Sequence, residues 1–128
     1  MQFRSCLLLS LLLGWTHNLY SDVLYTATDL GTLGLDSSAG GMNNVGQVTG
    51  YSGLFNGAPE AMPHAFSYSN GQMRDLGTLG GSDSFGHAID NAGQVTGYSL
   101  TTSDLANHAF LYGEGQMRDL GDARWRLC

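Results

Sequence analysis

The sequence repeats itself, and this constrains the fold more than any other property. Asp29-Leu30-Gly31-Thr32-Leu33-Gly34 returns as Asp75-Leu76-Gly77-Thr78-Leu79-Gly80 at an offset of 46, and Gly46-Gln47-Val48-Thr49-Gly50-Tyr51-Ser52 returns as Gly93-Gln94-Val95-Thr96-Gly97-Tyr98-Ser99 at an offset of 47. His64-Ala65-Phe66 returns as His108-Ala109-Phe110, and Gly71-Gln72-Met73-Arg74-Asp75-Leu76-Gly77 as Gly115-Gln116-Met117-Arg118-Asp119-Leu120-Gly121, both at an offset of 44. A period of this length marks one supersecondary unit used more than once, each unit needing a neighbour to bury its apolar face. The second copy is three residues shorter between Ser and His, and such freedom in length marks surface loops, Gly53 to Pro63 and Leu100 to Asn107.

Each unit divides into short β-runs. Gln94 to Ser99 alternates, with Val95 and Gly97 on one face and Thr96 and Tyr98 on the other. His108-Ala109-Phe110-Leu111-Tyr112 is continuous enough to be buried on both faces. Asn91-Ala92-Gly93 and Ser69-Asn70-Gly71 are turn signals, and Asn-Gly favours a type I′ hairpin. No window outside the N-terminus shows sustained helical spacing. The expected fold is all-β, two tandem four-stranded antiparallel units resembling β-propeller blades, with a β-solenoid or a small sandwich as alternatives. The units are placed at about 29–74 and 75–118 within a repeat domain of 22–121. Val23 to Thr28 is expected to supply the last strand of a preceding unit, and Asp119-Leu120-Gly121 to open a third.

The N-terminus reads differently. Arg4 precedes an apolar run from Cys6 to Trp15, which as a helix reaches about 15 Å, half of what a bilayer requires. Residues 1–21 therefore read as a signal-peptide helix, making the protein exported, extracellular or periplasmic, with no stable membrane span after cleavage. Cleavage there would leave four Arg against eleven acids and Cys128 as the remaining thiol, so packing and backbone hydrogen bonds must supply stability. The chain has no Lys and is net −6 as written, a poor means of neutralising phosphates, so nucleic acid is excluded as a partner. Residues 122–128 match nothing upstream. They read as a capping tail, or as the sign of a truncated array.

These repeated blocks resemble the HAF-repeat family, named for the tripeptide seen at His64-Ala65-Phe66 and His108-Ala109-Phe110. Asn44-x-Gly46-Gln47-Val48-x-Gly50 and Asp75-Leu76-Gly77-Thr78-Leu79-Gly80-Gly81 carry the likeness further, over Tyr25 to Gly121. The resemblance implies a bacterial exported protein of repeated β-units. It transfers no activity and no catalytic residue. Leu35 stands where Gly81 stands in the second copy, and the tail departs altogether.

Candidate chemistry is sparse. His64 and His108 recur once per unit, which points to an architectural role, such as a ring nitrogen bonding a neighbouring strand's carbonyl. His87 could join them at a metal only if its strand neighbours theirs. Asp29, Asp75 and Asp119 recur before Leu-Gly, where a carboxylate can accept backbone amides in a turn. Gly46 and Gly93 complete the repeat signature. Gly80 to Gly86 faintly resembles a calcium loop without its nonapeptide iteration. Gly77 to Gly81 lacks the Lys-Ser/Thr of a phosphate loop, and there is no nucleophile elbow. Catalytic residues, metal ligands and cofactors are thus expected to be none. Tyr51 and Tyr98, beside the variable loops, are the candidates for a ligand platform for sugars or peptides.

The expected function is a non-enzymatic scaffold or interaction module, with an unknown protein or glycan as partner. The alternatives are a carbohydrate- or peptide-binding module built on loop aromatics, or a non-functional fragment of a longer repeat protein. Two glycine-rich units are also expected to be marginally stable or to associate through exposed strand edges.

Overall fold

The computed structural model describes residues 24–55, 57, 60–102 and 106–121. The predicted signal peptide, the tail 122–128 and the tips of both variable loops lie outside the described residues. Eight strands are present among them: β1 (Ser37–Met42), β2 (Val48–Leu54), β3 (Met62–Ser69), β4 (Gln72–Asp75), β5 (Gly80–Ile89), β6 (Val95–Thr101), β7 (Asn107–Gly113) and β8 (Gln116–Asp119). They form two four-stranded sheets, each a meander in sequence order, β1-β2-β3-β4 and β5-β6-β7-β8, with every pairing within them antiparallel. This is the expected all-β architecture of two tandem units. No helix of the described residues is long and apolar enough to cross a membrane.

Local chemistry sets the registers. At the β3–β4 hairpin Asn70 and Gly71 have φ of 51° and 79°, and at β7–β8 Glu114 and Gly115 have 53° and 79°. Positive φ at both central residues defines the type I′ turn, whose twist suits a two-residue hairpin. The first turn could be read from Asn-Gly; the second follows only from its repeat position. Between β1 and β2 the turn closes with Gly46 N–H on Asn43 O at 3.3 Å, and between β5 and β6 with Gly93 N–H on Asp90 O at 3.0 Å. Both first strands carry a bulge in the same place, shifting register between Ala39 and Gly41 and between Gly86 and Ala88.

The two sheets meet across β5. Gly40 and Gly41 of β1 let the β5 backbone lie close: a Cβ on Gly40 would overlap the Gly86 carbonyl oxygen, and one on Gly41 would come within 2.7 Å of the His87 oxygen. A Cβ on Gly86 would in turn overlap Thr49 Oγ1. Ser84 completes the junction. Its buried hydroxyl accepts the Ala65 N–H at 2.8 Å and donates to the Gly77 carbonyl oxygen at 2.5 Å. The apolar core forms where the units join, from Ala65 and Leu76 of the first and Val95, Phe110 and Tyr112 of the second, with Leu79, Ile89 and Met117 packed against it.

Two expectations need correction. Residues 24–28 form no strand and are exposed, because no described strand stands beside them as β3 stands beside β4. The run from His108 to Tyr112 is not buried on both faces: Ala109 is exposed, whereas its counterpart Ala65 is fully buried, since β5 covers β3 and nothing among the described residues covers β7 in the same way. Gly80 to Gly86 lies within strand β5.

The same sequence in two settings supplies a test. Leu76 is 6% exposed and Leu120 is 60% exposed. Leu76→Ala is expected to destabilise the fold by about 2–5 kcal/mol, in the range for a buried leucine, and Leu120→Ala to change it by less than about 0.5 kcal/mol. Urea unfolding midpoints of the two variants measure the difference, and equal losses would contradict this account of the interface.

Candidate functional site

The recurring histidine and aspartate meet in each unit. Across the β3–β4 hairpin Phe66 pairs with Asp75, so His64 lies diagonal to Asp75 on the same face. His64 Nδ1 sits 2.9 Å from Asp75 Oδ1 and 3.0 Å from Oδ2, and His108 Nδ1 sits 3.0 Å and 2.9 Å from the two carboxylate oxygens of Asp119. An ionised carboxylate only accepts, so Nδ1 carries the donated proton. The ring nitrogen thus bonds a carboxylate where a strand carbonyl was expected, because the I′ turn brings the aspartate into diagonal reach. The same carboxylate also accepts a backbone amide, Gly77 N–H on Asp75 at 2.8 Å and Gly121 N–H on Asp119 at 2.7 Å. Asp29 makes the equivalent turn bond to Gly31 N–H at 2.9 Å. Each aspartate therefore fixes the Leu-Gly turn, as its sequence position indicated, and Asp75 and Asp119 also tie that turn to the preceding strand.

A serine completes a row that sequence reasoning missed. Ser52 is the cross-strand partner of His64, and Ser99 that of His108, so Ser, His and Asp follow one another across each sheet. The recurrence of Gly-Tyr-Ser at 50–52 and 97–99 was the available signal. The row differs from a catalytic triad in where its hydroxyl points. Buried Ser52 Oγ donates to the Asp36 carbonyl oxygen at 2.8 Å and accepts Leu33 N–H at 2.9 Å. Ser99 Oγ donates to the Asp83 oxygen at 3.0 Å and accepts Leu79 N–H at 2.9 Å. A serine nucleophile requires its proton on the imidazole. Here the hydroxyl donates that proton to a backbone carbonyl oxygen and docks the Thr-Leu-Gly segment onto the second strand of its sheet.

The two tyrosines are brought together by a third ring. Phe85 of β5 lies with its centroid 5.0 Å from Tyr51, edge on at 64°, and 4.9 Å from Tyr98; His87 continues the run 5.2 Å beyond Tyr98. Tyr51, Phe85 and Tyr98 are half-buried and His87 is exposed. The row crosses the junction between units, so Tyr51 and Tyr98 present one shared aromatic strip. His87 thus belongs to this strip. Among the described residues no three His, Cys, Asp or Glu side chains converge where they could hold a metal ion. Gly46 and Gly93, the remaining signature positions, close the first turn of each unit at φ of 81° and 82°.

Asp75→Ala removes both the histidine and the amide bond and is expected to cost about 1–2 kcal/mol, since each net hydrogen bond contributes roughly 0.5–1.5 kcal/mol. Asp29→Ala removes a single exposed turn bond and is expected to cost less than half as much. Thermal melts of the two variants rank these effects; a larger loss for Asp29→Ala would contradict the pairing role of Asp75.

No family model matches the chain, and no curated protein or solved structure matches it either.

Proposed function

We propose that the protein is an exported, non-enzymatic β-repeat protein of the HAF type that serves as a scaffold or interaction module in the extracellular or periplasmic space. One observation carries this reading. The residues whose chemistry could do work, His64, Asp75, Ser52 and their second-unit counterparts, are bonded in the same way in both units, each to backbone or to one another. A role repeated in every unit serves the unit itself. The surface that differs between units, the variable loops after β2 and β6, is where a protein partner would be distinguished.

A second reading rests on the aromatic strip. Half-buried rings in a row, Tyr51, Phe85 and Tyr98, offer faces on which a pyranose or a peptide side chain can stack. A glycan array with the purified protein separates the two readings. The scaffold reading expects no sugar binding that depends on the strip. Binding lost by at least about tenfold in Tyr98→Ala, a change of roughly 1.4 kcal/mol, with the fold intact by circular dichroism, would replace it with the carbohydrate-binding reading.

A further inference from the structure

The junction between the two units is a template for what the outer face of the second unit would accept. In the first unit that face is built from Gly40, Gly41, Thr49, Ala65 and Leu76, and β5 lies across it. In the second unit the same repeat positions are His87, Ala88, Thr96, Ala109 and Leu120. All five are exposed. A shallow groove of about 230 Å³ runs beside them, lined by Ala88, Ile89, Asp90, Gln94, Thr96 and Leu111. The strand that would fill it by analogy is of the β5 kind, and the described residues hold one other such strand: β1, with Ser37 in the place of Ser84. Ser37 is exposed, and its hydroxyl donates to the Gly31 carbonyl oxygen at 2.8 Å just as Ser84 donates to Gly77. Its oxygen lone pairs are placed as those of Ser84 are when they accept the Ala65 amide.

Five positions break the analogy, and all five act against docking: β1 carries Ser38 where the Phe85 ring meets Tyr51, and four others set bulk or charge against the contact. Where Gly40 and Gly41 leave room for the covering backbone, the second unit carries His87 and Ala88. Where Gly86 slips past Thr49, β1 carries Ala39, whose methyl would overlap Thr96. Where the Asn43 side chain donates to the Asp90 carbonyl oxygen at 2.8 Å, the second unit presents the Asp90 carboxylate, which when ionised has no proton to donate. We infer that the outer face of the second unit is a docking surface for β1 of a second copy of this chain, with the Ala109 amide donating to Ser37 of that copy, and that His87, Ala88, Asp90 and Ala39 hold this head-to-tail association weak. The inference goes beyond the scaffold reading and does not depend on it. Two dissimilar faces joined this way leave one of each uncovered in a dimer, so the product grows past the dimer into a ring or an open array. A charge and three side chains at the contact are enough to keep such growth in check.

The test exchanges residues between the units. In the full chain, Ala39→Gly, His87→Gly, Ala88→Gly and Asp90→Asn give each position the residue its repeat counterpart already has, so each substitution is one the other unit already tolerates. Sedimentation velocity over a concentration series is expected to show the wild type as monomer where the exchanged variant forms dimers and longer species, with association at least about tenfold tighter. Adding Ala109→Glu to that variant is expected to return it to monomer. An exchanged variant that keeps its circular dichroism spectrum and stays monomeric would overturn the inference, as would association that Ala109→Glu leaves unchanged or a wild type that associates equally tightly. If the fourfold variant does not fold, His87→Gly alone, at an exposed bulge, must still tighten association by a measurable factor; no shift overturns the inference.

Discussion

The hydroxyl of Ser84 stands where three segments of chain meet, accepting an amide proton from β3 and giving its own to the turn that follows β4. A buried backbone amide left without an acceptor costs roughly 1–3 kcal/mol, so the first unit keeps this part of its fold only while β5 lies across it. The glycines at 40, 41 and 86 serve the same contact by removing the side chains that would hold the two backbones apart. Around that point Ala65 and Leu76 of the first unit join Val95, Phe110 and Tyr112 of the second in one core. The first sheet does not bury Ala65 and Leu76 by itself; the second does it for them, as expected of a repeat protein in which stability resides in the interfaces between neighbours.

Inside each unit the bonds are of a different kind. Aspartate bridges histidine and a glycine amide, and a buried serine holds the Thr-Leu-Gly segment against the second strand of its sheet. These are bonds between groups within one unit, and they are present in both copies although one copy has a neighbour on its outer face and the other has none among the described residues. The repeated polar bonds are therefore local, while apolar burial is shared and only a few polar bonds, such as Ala65 to Ser84 and Asn43 to Asp90, cross the junction. The same division explains why buried side-chain nitrogens and oxygens all find partners among the described residues even though the core itself is small.

Much of the fold was readable in the repeat. The four strands per unit, the Asn-Gly hairpin and the turn aspartates all follow from residues that recur, because sameness at a fixed spacing marks what every unit needs. The His64–Asp75 pair was also within reach: a two-residue turn at Asn70-Gly71 fixes the register, and the register places the two side chains on one diagonal. The junction was not readable, because the residues that let the two backbones approach differ between the copies. Gly40 against His87, Ala39 against Gly86 and Asn43 against Asp90 look like noise in an alignment of one unit with the other. They are where the units touch. Phe85, which joins Tyr51 to Tyr98, stands opposite Ser38 in the first copy and was missed for the same reason. The expected strand at 24–28 failed for a complementary cause: a sequence that leads into Asp-Leu-Gly becomes a strand only beside a partner, and none is described there.

The amide of Ala65 has its acceptor in the other unit, and this gives the molecule an internal gauge of its own cohesion. Exchange of that hydrogen with solvent requires Ser84 to leave, and Ser84 cannot leave without β5 lifting from the first sheet. Its exchange rate therefore reports the parting of the two units, whereas amides within a single hairpin report only the fraying of that hairpin. The ratio between the two rates measures how far this pair of sheets behaves as one cooperative body and how far as two.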